Sequence, residues 1–182
     1  EVGHTLGLNH NFKGSYLHNN QDVHNPEITG KVGVNTSVME YPAINLAPLG
    51  VEQGDYYDTI PGPYDIWAIK YGYTPNLSED ELAAIIAEEI KAEHMFANDS
   101  EDMRSPGRGI DPRAMINDLT NDPITYAINR IELLNHTQDN IVPRLADRVE
   151  TFEEYRLALT VFMREYSRQL EVISRHIGGV YV

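Results

Sequence analysis

The sequence predicts a mainly α protein built in two parts of different texture. Residues 1 to about 75 are rich in Gly, Pro, Asn, His and Tyr, with two short helical patterns around a long irregular stretch. From about residue 76 onward, apolar residues recur every three or four positions, the period of a helix with one buried face. The helical patterns begin at capping boxes or proline and end near glycine. A length of 182 residues suits one compact domain, or a small one with an appendage. The expected division is 1–75 and 76–182, the second part packing on the first.

"EVGHTLGL" reads as a short helix ended by Gly7. "PYDIWAIKYGY" (63–73) reads as a second, with Ile66, Ala68 and Ile69 packing it against the preceding turn and Gly72 ending it. In "SEDELAAIIAEEIKAEHMF", Ser78 and Glu81 form a capping box, and Leu82, Ile85, Ile86 and Ile90 share a face. "NDPITYAINRIELLN" offers Asp122 as N-cap, Pro123 at the first helical position and an Ile124, Ile128, Ile131 stripe. Pro143 should break or kink the chain beyond this stripe. The last helix starts at a Thr151–Glu154 capping box. Its stripe runs through Tyr155, Leu159, Phe162, Tyr166, Leu170, Ile173 and Ile177 to a stop at Gly178 and Gly179. Residues 98–112 read as a polar loop.

Composition excludes several functions. The net charge of -14 argues against nucleic acid, whose phosphates require positive charge, and against an anionic membrane surface. The absence of cysteine removes disulfides, thiolate metal sites and cysteine nucleophiles. No apolar run approaches the roughly 20 residues that span a bilayer.

The opening stretch, "EVGHTLGLNHNFKGS", carries chemistry. Glu1 and His4 are three apart, on nearly one helical face. A sharp turn at Gly7 would bring His10 back toward His4. Two imidazoles would then converge, and neutral imidazole nitrogen is a good zinc ligand. A carboxylate beside them can take a proton from a water. Downstream, "NTSVMEYPAIN" places Met39 and Tyr41 in a turn-like context after Ser37.

These residues resemble the metzincin zinc peptidases. E-x-x-H-x-x-G-x-x-H matches their H-E-x-x-H-x-x-G-x-x-H pattern with the first histidine missing. Ser37, Met39 and Tyr41 match the S-x-M-x-Y form of the Met-turn. Asp65, Ala68, Ile69, Tyr71 and Gly72 match the helix that metzincins place after it. Together they resemble the Met-zincin family, large and mostly bacterial zinc proteases with a helical tail. The resemblance implies the C-terminal subdomain of a metzincin-like zincin: active-site helix, Met-turn and following helix, with an appended helical bundle. It implies His4 and His10 as zinc ligands, Glu1 as general base and Tyr41 as an optional stabiliser of the oxyanion. Met39 would be the structural methionine of the turn, and a peptide or protein the substrate. It also implies a secreted or periplasmic location and, as a partner, the upstream part of the same catalytic domain. The chain reads as a fragment starting inside the motif, so by itself it is expected to be inactive, with a weak or empty zinc site.

Other candidates read as structural. His18 and His24 are expected as loop histidines, and His94, His136 and His176 as helix-surface or helix-end residues. Asp99, Glu101, Asp102 and Asp111 do not follow a calcium-loop pattern and read as solvated acids. The alternative function is a helical binding or scaffold module whose peptidase motifs are vestigial.

Overall fold

The computed structural model describes residues 1–101, 110–146 and 148–182, and among these the regular structure is entirely helical. Helix α1 (Val2–Thr5) is followed by two 3-10 turns, Gly14–Leu17 and Asp22–His24, and by α2 (Pro26–Val32). An irregular stretch leads to α3 (Pro63–Tyr73) and α4 (Glu79–Ala87), then to 3-10 turns at Glu88–Ile90 and Ala92–His94. Two long helices, α5 (Pro123–Ala146) and α6 (Phe152–Arg175), complete the chain.

Helix starts follow the expected caps. Ser78 and Glu81 form their capping box on α4, as do Thr151 and Glu154 on α6. The Asp122 carboxylate accepts from Thr125 N–H (3.1 Å) at the start of α5. Helix ends and buried faces depart further. The helix begun at Ser78 stops at Ala87 because His94 folds back: its Nδ1 meets the Glu88 carbonyl at 2.7 Å and its ring stacks on Trp67. His94 is therefore buried, not a helix-surface residue. Of the expected Leu82, Ile85, Ile86 and Ile90 face, Ile85 is buried and Leu82 half-buried, whereas Ile86 and Ile90 face outward.

Pro143 does not break α5, which continues to Ala146. The buried face of α5 is Pro123, Tyr126, Ala127 and Arg130, so the Ile124 and Ile128 stripe is turned toward solvent. On α6 the buried positions are Gln169 and Val172. The reason is polar. Arg130 donates to Glu165 at 2.6 Å, and Gln169 donates to the same carboxylate oxygen at 3.0 Å, between the two helices. A buried guanidinium needs its carboxylate, and that pair sets the rotation of both helices.

The apolar core joins early and late residues. Val23, Val34 and Ala43 pack with Leu119 and Tyr126, and Met115 and Ala127 pack with Val172. Residues 115–121 run between two early segments. Met115 N–H donates to Phe12 C=O, Thr120 N–H to Ser15 C=O, Asn117 N–H to Tyr41 C=O, and Ala43 N–H to Asp118 C=O. Asn117 and Thr120 hold positive φ (65° and 72°), costly for a β-branched residue and tolerated because these bonds fix the backbone on both sides.

Among the acids that depart from ordinary carboxylate behaviour are Asp118, Glu40 and Asp111. Burial raises the pKa of Asp118 against one hydrogen bond from Ser15 Oγ (2.9 Å). Glu40 is raised by burial and then by Asp118, against N–H donors of Gly14 and Tyr41. Two buried like charges cannot both ionise cheaply, so burial and their mutual repulsion favour the protonated form of one of them. Asp111 is the reverse case. Burial pushes it up, but Arg113 and Lys13 outweigh this and hold it well below the usual carboxylate range.

The signs give a pH profile. Asp111, depressed in the fold, stabilises above the unfolded carboxylate pKa of ~3.9, and that contribution is lost as pH falls through its folded pKa. Glu40 and Asp118, raised in the fold, stabilise below ~4 and lose that contribution as pH rises through their folded pKa values. The melting temperature should therefore peak in mild acid. Asp111→Asn should flatten the acid limb and Asp118→Asn the decline toward neutral pH, each read by thermal unfolding across pH.

Candidate metal centre

Helix α1 is four residues long and closes in a bend of two hydrogen bonds. Leu8 N–H donates to Gly3 C=O and Gly7 N–H to His4 C=O, both at 3.0 Å, with Gly7 at φ +83°. This is the Schellman arrangement, in which the residue past the helix takes the left-handed conformation that glycine adopts without penalty. The chain reverses, and the His10 ring lies 4.9 Å from the His4 ring, edge to face. The Tyr41 ring stands 5.0 Å from His10 on another side and is half exposed. Glu1 is the exposed N-cap of α1, with no side-chain cap bond.

Both imidazoles are oriented through Nδ1. That of His4 meets the Leu8 carbonyl at 2.9 Å, and that of His10 meets the Asp99 carboxylate at 2.9 and 3.1 Å. In a neutral ring these acceptors place the proton on Nδ1, which makes Nε2 the nitrogen that can face a metal.

Met39 packs against the helix that carries His4. A Cβ built on Gly3 would collide with Met39 Sδ, so the α1 backbone lies close against the thioether and a larger residue at position 3 would have to displace the Met39 side chain. The turn that presents Met39 is held by Asp65. This buried carboxylate accepts from Ser37 Oγ (2.6 Å), Val38 N–H (2.8 Å) and Gly62 N–H (3.0 Å), fastening the turn and the first turn of α3 together. Ser37 Oγ in turn accepts from Met39 N–H (3.0 Å). α3 is thus anchored to the turn through Asp65, while Ile66 is exposed and does not pack there. Gly72 lies inside α3, whose last residue, Tyr73, donates to the Leu6 carbonyl at 3.0 Å and braces the bend.

The structure therefore brings the His4, His10 and Tyr41 rings together, sets Met39 against Gly3 of α1, and leaves Glu1 at the exposed start of α1. His18 and His24 lie elsewhere and are buried, His18 against the Gly33 carbonyl (2.8 Å) and His24 stacked on Tyr126. Among the described residues, no three His, Cys, Asp or Glu side chains converge as a metal site. Asp102 lies outside the described residues, and Asp111 is buried in ion pairs rather than solvated.

A profile of the Met-zincin family matches residues 1–182. The chain belongs to the Met-zincin family. No curated protein and no solved structure matches it. Membership implies zinc and peptidase chemistry in general, and the donors fit that metal in kind: two imidazoles held through Nδ1, whose Nε2 atoms have no hydrogen-bond partner among the described residues. In this Met-zincin, sequence reasoning passes over Gly3 and Asn11 and reads Asp99 only as a solvated acid. Of the three, Gly3 alone leaves a local trace, a glycine inside a helical pattern, which often marks a close backbone approach.

Removing Asp65 strands two backbone N–H groups and a hydroxyl, each costing about 1–3 kcal/mol when buried without a partner. Asp65→Ala should lower stability by about 2–4 kcal/mol in denaturant unfolding, while Ile66→Ala, on the exposed neighbour, should change it by less than about 0.5 kcal/mol.

Proposed function

We propose that this Met-zincin is part of a zinc-dependent endopeptidase in which His4 and His10 hold the metal, Glu1 is the general base and Tyr41 assists at the oxyanion. The observation that supports it most is the pairing of the His4 and His10 rings 4.9 Å apart, each with Nδ1 engaged, above the Met39–Gly3 contact. Zinc, when bound, supplies Lewis acidity that polarises a carbonyl and eases ionisation of water.

The chain's own residues do the rest. The Gly7 bend sets the distance between the two rings. Glu1, at the solvent-facing start of α1, accepts the proton of the attacking water and returns it to the leaving amine. Tyr41, next to His10 and half exposed, offers a phenol O–H to the negative oxygen that develops on the scissile carbonyl. Ser37, Met39 and Tyr41 form the Met-turn of this reading. With two imidazoles, the chain carries an incomplete ligand set, because a catalytic zinc normally has three protein ligands. We expect this polypeptide alone to bind zinc weakly and to be inactive.

The first part, 1–75, is the C-terminal portion of the catalytic unit, and 76–182 is a helical portion supporting it. A secreted or periplasmic location rests on the family resemblance alone. Among the described residues, no helix is long and apolar enough to cross a membrane. The alternative is a helical binding module that retains the motifs without catalysis.

The discriminating experiment uses the natural protein as the cell makes it, with an unstructured protein substrate. Glu1→Gln should lower turnover at least about 100-fold, the usual scale for a general base, with zinc content unchanged. Full turnover in the variant would remove Glu1 from its role, and absence of any hydrolysis by the wild type would favour the binding module.

A further inference from the structure

An acid from the helical part of the chain reaches the candidate metal centre. Asp99 lies 89 positions from His10, yet its carboxylate faces His10 Nδ1 at 2.9 and 3.1 Å. Backbone on both sides of Asp99 is fixed. Asn11, fully buried and next to His10, donates from Nδ2 to the Met95 carbonyl (3.0 Å) and accepts from Ala97 N–H on Oδ1 (3.3 Å). Phe12 N–H donates to the Ala97 carbonyl at 2.7 Å, and Asn11 N–H donates to the Met39 carbonyl at 3.1 Å. One asparagine therefore stitches residues 95–97, the His10 stretch of chain and the Met39 turn into one unit. On the far side, residues 98–101 close on themselves. Glu101 accepts from Asn98 N–H (2.8 Å), and Asn98 Oδ1 accepts from Ser100 N–H (2.9 Å) and Ser100 Oγ (2.6 Å). Asp99 sits between these two fixtures, presented to the ring.

We propose that Asp99 is a positioning residue for His10: its carboxylate accepts the Nδ1 proton, fixes the ring plane, and leaves the Nε2 lone pair directed to the metal. The proposal rests on the metal-centre reading above. His4 receives the same service from a backbone carbonyl, which no side-chain substitution removes. A carboxylate acceptor on a ligating imidazole also strengthens the ligand, and loss of such a partner typically lowers metal affinity 10- to 100-fold. Asp99 is more than half exposed, so the pair contributes little to folding and its effect is concentrated on His10. The helical part thus supplies a group to the centre rather than only buttressing it.

Two readouts on the natural protein test this. Long-range proton–nitrogen NMR of the metal-free protein reports the tautomer of each histidine, and competition with a chromophoric chelator reports zinc affinity. Asp99→Ala should abolish the Nδ1–H preference of His10, leave that of His4 intact, and weaken zinc about 10- to 100-fold with the circular dichroism unchanged. Asp99→Asn, whose amide oxygen still accepts, should keep the tautomer and recover most of the affinity. An unchanged His10 tautomer in Asp99→Ala, or unchanged zinc affinity despite a changed tautomer, would overturn the proposal. A wild type that shows the Nδ1–H pattern but takes up no zinc would overturn the metal-centre reading and uphold the Asp99–His10 pairing.

Discussion

The buried carboxylate of Asp65 is the constraint on which the centre depends. It gathers a hydroxyl and two backbone N–H groups from segments that otherwise have no regular structure between them. Without it, Ser37 Oγ and the Val38 and Gly62 N–H groups would lose their acceptor, and Ser37 and Met39 are buried. With the turn fixed, Met39 has one place to put its side chain, and that place is under Gly3. The position of α1 is a consequence, because a four-residue helix with no buried residue of its own has little else to hold it. The approach of the His4 and His10 rings is therefore set by packing under Gly3 as well as by the helix that carries the motif.

The same logic extends to the later part of the chain. Residues 115–121 supply backbone donors and acceptors to Phe12, Ser15, Tyr41 and Ala43, and Asp118 lies beside Glu40 at the back of the turn. Burying two acids near each other is unfavourable unless one of them is protonated. Their retention in the core makes the turn a stiff but costly element. Between α5 and α6 the Arg130–Glu165 pair plays a comparable part, fixing rotation where an all-apolar seam would tolerate several.

Much of this was legible in the sequence, and the gaps have physical causes. Helix starts were readable because a cap is a local event: Ser78, Asp122 and Thr151 each bond within three or four residues. The Gly7 bend was readable for the same reason. Buried faces were less so. The Ile124 and Ile128 stripe has the right period, but Arg130 is drawn inward by Glu165, 35 residues away, and no local pattern encodes that. Likewise His94 ends its helical segment early through a stack on Trp67. At the centre, the spacing of His4 and His10 was informative because a bend of fixed length joins them. Asp99 was not, since its partnership with His10 is made by the fold. It read as one more acid in a strongly acidic chain.

The central claim is that the His4 and His10 rings hold one divalent cation over the Met39 turn. Anomalous diffraction at the zinc edge, on crystals of the natural protein grown with zinc, tests it most directly. The account predicts a peak within about 2.0–2.1 Å of Nε2 of both rings, the usual zinc–imidazole distance, with Met39 Sδ beneath and not bonded to it. A zinc peak elsewhere, or one bound through Nδ1 of either ring, would contradict it.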